Sequence, residues 1–198
     1  NTIHNMKKLV IGILSILILT VSVDAQDAKK AIKNAEKALK EFIKNPTSNQ
    51  DAAKTALATL EAEFGTPEKG EHYIKKGDLY MEVAESEEKM MLLNPAFETA
   101  IPDAPVKAFD SYKAALAIGD KNKDALKGIE KVMVSLNNIG ITLFEKKDYV
   151  GSFTHYDLVT DAHNLLNENG KESILSDPAV FTQHRFYTAV AGYYGGKN

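Results

Sequence analysis

Residues 136–159 read LNNIGITLFEKKDYVGSFTHYDLV. Leu136, Ile139 and Leu143 fall at i, i+3 and i+7, which is one apolar stripe of a helix. Gly140 lies in the same face, where the missing Cβ lets a second helix approach closely, at a cost of roughly 1 kcal/mol in helix propensity. The polar run Glu145-Lys146-Lys147-Asp148 then makes a turn, and Tyr149 opens a return helix. Ser152, Tyr156 and Val159 point back at the first helix. The stretch predicts two antiparallel helices closed over a glycine.

The pattern recurs twice. Upstream, Tyr73, Lys76-Gly77 and Tyr80 repeat the first helix, with Ala108, Tyr112 and Ala115 as its return. Downstream, Tyr187, Val190-Ala191 and Tyr194 repeat the first helix, and no return follows. This spacing resembles the tetratricopeptide repeat, W-x2-L-G-x2-Y followed by A-x3-F. The resemblance covers about residues 70–198. Departures from it are plain: Tyr73, Leu136 and Tyr187 stand at the tryptophan place, and Asp120 and Asn164 replace the closing proline. Tyr80 and Ala108 are 28 positions apart where Leu143 and Ser152 are 9 apart, so the first hairpin carries a long insertion.

The resemblance implies an all-α fold, a right-handed solenoid of antiparallel helix hairpins with insertions. It implies a concave groove lined by places 2, 5, 9, 12 and 13 of each first helix. Those places hold Glu71, Ile74, Asp78, Met81 and Glu82 in one repeat, and Val134, Asn137, Ile141, Phe144 and Glu145 in the next. The partial repeat adds Arg185, Thr188 and Gly192. Members that clamp a C-terminal carboxylate carry Lys and Asn at places 5 and 9. Ile74 with Asp78, and Asn137 with Ile141, do not make that clamp. The groove is mixed apolar and acidic, suited to an extended or helical segment with apolar anchors and some basic residues.

Composition narrows the class. The chain has 198 residues, 44% of them apolar and 26% charged, with a net charge of −3. Arg185 is the sole arginine. A nucleic-acid partner, which needs a basic and usually arginine-bearing stripe, is not expected. The absence of cysteine excludes disulfides, thiolate metal sites, cysteine nucleophiles and lipid attachment through cysteine.

Met6-Lys7-Lys8, the apolar run Leu9–Val23 and the small residues Val23 and Ala25 read as a secretory leader cleaved before Gln26. The run is shorter than the roughly 20 residues that span a bilayer. No integral membrane span is therefore expected after cleavage. Residues 1–25 are set apart from the fold as upstream residues plus leader.

Residues 26–65 read as an N-terminal helical hairpin, a cap or degenerate repeat. Its first helix gathers Ala28, Ala31, Ile32, Ala35, Leu39, Phe42 and Ile43 on one face and presents lysines on the other. Ser48 is the expected cap of the second helix and Gly65 follows its end. Residues 66–198 form the divergent repeat array. Asn94–Pro105 carries three prolines and is expected to be loop, pinned by Phe97 and Ile101. Such an insertion is either a place where a solenoid carries function or a tolerated lengthening. Asp177-Pro178 starts the last helix as cap and first residue. That helix ends the array on an aromatic face, whereas terminal solenoid helices carry a polar one. The natural chain is therefore expected to continue with at least one more helix, and residues 178–198 of this form to self-associate or fray.

No catalytic, cofactor or metal constellation is evident. His155 and His163 share a helix face but stand about 12 Å apart, too far for the i, i+4 metal pair. His72 and His184 read as surface residues, and Glu87-Glu88 as a solvated acidic pair. The expected function is a non-catalytic protein-interaction scaffold of the bacterial envelope, binding a protein or peptide partner in the groove. It would be periplasmic or outer-membrane-associated. The alternative is a glycan-uptake or outer-membrane assembly component built on the same scaffold.

Overall fold

The computed structural model describes residues 26–94 and 96–197. The leader read in residues 1–25 lies outside them. Among the described residues the chain is all-α. Helix α1 covers residues 26–44, α2 Gln50–Glu63, α3 Gly70–Leu93, α4 Ala104–Ile118, α5 Asn122–Glu145, α6 Tyr149–Glu168 and α7 Pro178–Tyr194. A 3-10 turn, Ile174–Ser176, precedes α7. No described helix is long and apolar enough to cross a membrane.

The helix ends follow from local chemistry. Gly119 and Gly170 take positive φ after α4 and α6, a conformation that costs glycine little. Asp148 caps α6 by accepting the Gly151 N–H at 3.0 Å, and Asp177 caps α7 ahead of Pro178. The expected cap of α2 is different. Asn49, left-handed at φ 55°, stands at that place, and the Ser48 hydroxyl donates to the Asn45 carbonyl at 2.8 Å. The tight turn after α1 takes up the serine, so it never faces the helix start.

From α3 onward, neighbours in sequence are neighbours in space. α3 and α4 run antiparallel, with Glu87 bonded to Ala100 and Ile101 at one end and Gly70 to Asp120 at the other. α5 and α6 do likewise: a Cβ on Gly140 would stand 2.8 Å from the Tyr156 ring, and the Ser152 hydroxyl donates to the Gly140 carbonyl at 2.8 Å. α6 and α7 pair Tyr149 with Tyr194 and His163 with Phe181. α3 and α5 lie side by side in the same direction, held by Glu85–Lys131 at 2.8 Å and by the Ser135 hydroxyl on Glu88.

The glycines mark where helices meet. Tyr112 of α4 packs on Gly77 of α3 and on Gly128 of α5, and its hydroxyl donates to Asp78 at 2.8 Å. Ala108 and Leu136 are wholly buried in the same core. The N-terminal pair joins through Glu61, which accepts from Tyr80 at 2.7 Å and from Lys76 at 2.6 Å, and through Phe64 edge-on to Tyr73. One hydrophobic core thus runs from Ala28 in α1 to Leu175 before α7.

α7 is held most lightly. Only His184, Ala191 and Gly192 of it are buried. Tyr187 packs edge-on to Phe144. Tyr194, expected as a packing residue, is 64% exposed and rests only its ring on Tyr149. No following helix within the described residues covers it.

Candidate functional site

The last turns of α3, the insertion after it, the start of α4 and the facing ends of α5 and α6 enclose a cleft of about 300 Å³. Its walls are apolar, made chiefly by Ala84, Met91, Ile101, Val106, Ile139 and Leu143. The insertion forms one wall because it is pinned down. Phe97 and Ile101 are buried, and Glu87 Oε1 accepts the backbone N–H groups of Ala100 at 2.5 Å and Ile101 at 3.2 Å. Hydrogen bonds to a carboxylate are stronger than those between neutral groups, so two of them fasten this part of the loop to α3.

Glu87 is only 2% exposed, which corrects its reading as a solvated residue. Burial pushes its carboxyl above the ordinary range, and the two backbone N–H bonds oppose that without cancelling it. Glu88, half-buried beside it, is also pushed up by burial, against the hydroxyl of Ser135 and the amide of Asn138. Both hydrogen bonds to Glu87 end on Oε1. Oε2 has no protein donor among the described residues. It is also not sealed, since the buried polar atoms without partners are all histidine nitrogens. Glu87 is itself among the residues that line the cleft.

His155 lines the same cleft. Its Nδ1 lies 2.9 Å from the Gly151 carbonyl, which can only accept, so Nδ1 carries the proton. Nε2 is then a bare acceptor, buried and without a partner. Beyond Ile139 and Thr142 the cleft continues into an open hollow of about 470 Å³, bordered by Leu92, Ile141 and Glu145. Leu92, 85% exposed, stands at its edge.

The residues expected to line one groove are divided. Ile141 and Glu145 border the hollow just described. Ile74, Asp78 and Val134 meet at a separate hollow beside Tyr112 and Lys131. Phe144 packs edge-on between Tyr149 and Tyr187. Glu71 is exposed and paired with Lys75 at 2.7 Å; Glu82 is exposed and Asn137 half-buried. Met81 is 1% exposed and belongs to the core, because α3 is covered on that side by its neighbours. Of the packing residues, Leu143 also forms a cleft wall.

Glu87 was legible in one respect. Tyr80, Val83, Ala84 and Glu87 stand at i, i+3, i+4 and i+7, so the carboxylate continues the apolar stripe. The histidines gave no such signal. His72 and His184 are buried, not surface residues. His184 bonds Thr160 at 3.0 Å, and burial holds its imidazole below the usual range. His163 bonds Ser173 at 2.7 Å and Asn167 at 2.9 Å, while the Ser173 oxygen also accepts the Leu175 N–H. That trio ties the 3-10 turn to α6. Among the described residues no group of three or more His, Asp or Glu could hold a metal ion. No protein-family model, no curated protein and no solved structure matches the chain, and its role is read from the chemistry of the cleft.

Proposed function

We propose that the chain is a non-catalytic binding module of the tetratricopeptide type, acting in the bacterial envelope, that takes a segment of a protein partner in the cleft between the ends of α3 and α5. One observation carries this reading: an apolar cleft that opens into a hollow edged by exposed Leu92 and Ile141. Exposed aliphatic side chains beside a preformed apolar cleft mark an interaction surface rather than a solvated one. The antiparallel succession of helices, with α3 and α5 side by side in one direction, supports the solenoid reading. The leader spelled by residues 6–25 supports the location. The carboxylates of the cleft hold the loop and Ser135 rather than a nucleophile–base pair, so the chemistry offered is recognition.

Selection of a random-peptide library on the full chain tests this. Selected peptides should lose binding to Ile139→Trp and to Thr142→Trp, which fill the shared floor of the cleft and hollow. No selected peptide, or equal binding to the filled variants, would sink the reading.

A further inference from the structure

The lining of the cleft has a definite chemistry. Four carboxylates line it, Glu87, Glu88, Asp103 and Asp148, against one ammonium, that of Lys146. Glu145 adds a further negative charge at the adjoining hollow. Apolar walls with a negative lining suit a group that is apolar along its stem and cationic at its tip. Lysine and arginine both fit that description. The unpartnered Oε2 of Glu87 separates them.

Oε1 of Glu87 is already taken by two backbone N–H groups, so the carboxylate offers a ligand one oxygen. A guanidinium reaches its full strength by laying two parallel N–H bonds on both oxygens of one carboxylate. An ammonium is a compact point charge that needs one oxygen per donor. Its remaining donors have the carboxylate of Glu88 in the same cleft. Resting on the binding reading above, we infer that the cleft is a lysine socket: a partner segment inserts a lysine side chain toward Glu87 and lays apolar neighbours over Leu92 and Ile141. A segment is the source, and not a free polyamine, because a small cation would fill the cleft and leave Leu92 and Ile141 of the hollow bare.

The closing experiment uses the full chain, peptides selected on it, and each peptide resynthesised with its lysine changed to arginine or to norleucine. Kd is measured by calorimetry against wild type, Ile139→Trp and Glu87→Gln. The Gln side chain keeps the oxygen that the Ala100 and Ile101 amides use, and replaces Oε2 by a donor. The expected result is a lysine in the selected peptides, with binding weakened roughly tenfold or more by norleucine and by Glu87→Gln, and less by arginine. Should Glu87→Gln fail to fold, the peptide substitutions alone decide. Peptides that lose binding to Ile139→Trp yet tolerate norleucine would overturn the lysine socket and leave the binding module standing. Peptides indifferent to Ile139→Trp would remove both. Spermidine binding as tightly as the peptides would overturn the segment as the source.

Discussion

Tyr112 of α4 lays its ring directly on the backbone of Gly128 in α5, where no Cβ can fit. The same ring meets Gly77 of α3, on which a Cβ would stand 2.7 Å from Cε1. Two close approaches therefore share one side chain, and α4 is keyed to the helices on both sides of it. Alanine at either glycine gains roughly 1 kcal/mol of helix propensity and loses more to overpacking. Gly128→Ala and Gly77→Ala are expected to lower stability by roughly 1–3 kcal/mol net. Urea denaturation checks this, and a midpoint at or above that of wild type for both would discount the ring as a key.

Gly140 and Tyr156 repeat the arrangement one hairpin later. The leucine in Gly140→Leu would run into Cε1 and Cδ1 of a ring that is itself buried. A loss of roughly 1–3 kcal/mol is expected, and the Ser152 bond to the Gly140 carbonyl should open with it. An unchanged denaturation midpoint would show that α5 and α6 can separate freely.

Glu87 makes stability depend on pH in a definite sense. Burial raises its folded pKa above the unfolded value, despite the Ala100 and Ile101 amides and Lys54. Its contribution is fully present below the unfolded value and is lost as pH rises through the folded one. Glu87→Gln has no charge to bury. Its stability relative to wild type should therefore rise as pH goes from about 4 to about 7. Glu88, raised by burial, and Glu61, where the bonds from Lys76 and Tyr80 outweigh burial and lower it, remain in both proteins. A difference that stays flat with pH would contradict a strained Glu87 carboxylate.

α7 presents Phe186 and Tyr193 to solvent and buries three residues. Its amides should exchange hydrogen faster than those of α5 in the monomer. If two copies meet through this aromatic face, protection of residues 178–194 should appear only at dimer-forming concentrations, alongside a shift in sedimentation. Equal protection of α5 and α7 in a monomer would mean that the Phe144, Tyr149 and Phe153 contacts hold α7 by themselves.

The all-α class, the helix order and several helix ends could be read from the chain alone, because they rest on interactions within a few residues. The 3.6-residue periodicity of Leu136, Ile139 and Leu143, the prolines of the insertion, and the Asp177-Pro178 start each act locally. The cleft could not be read so. It is made where the insertion folds back on α3, and it depends on pairings such as Glu87 with Ala100 and Glu88 with Ser135, the latter 47 positions apart. In the sequence, Glu87 and Glu88 are one acidic pair with one environment. Packing gives them two, since a helix turns neighbouring side chains by about 100° and only the neighbouring elements decide which side is closed. That is why Met81 is core while Phe144, at the corresponding place of the expected repeat, stays half-buried between Tyr149 and Tyr187. Local pattern determined which residues form helices; the burial of one carboxylate against a loop 13 positions on decided where the cleft lies.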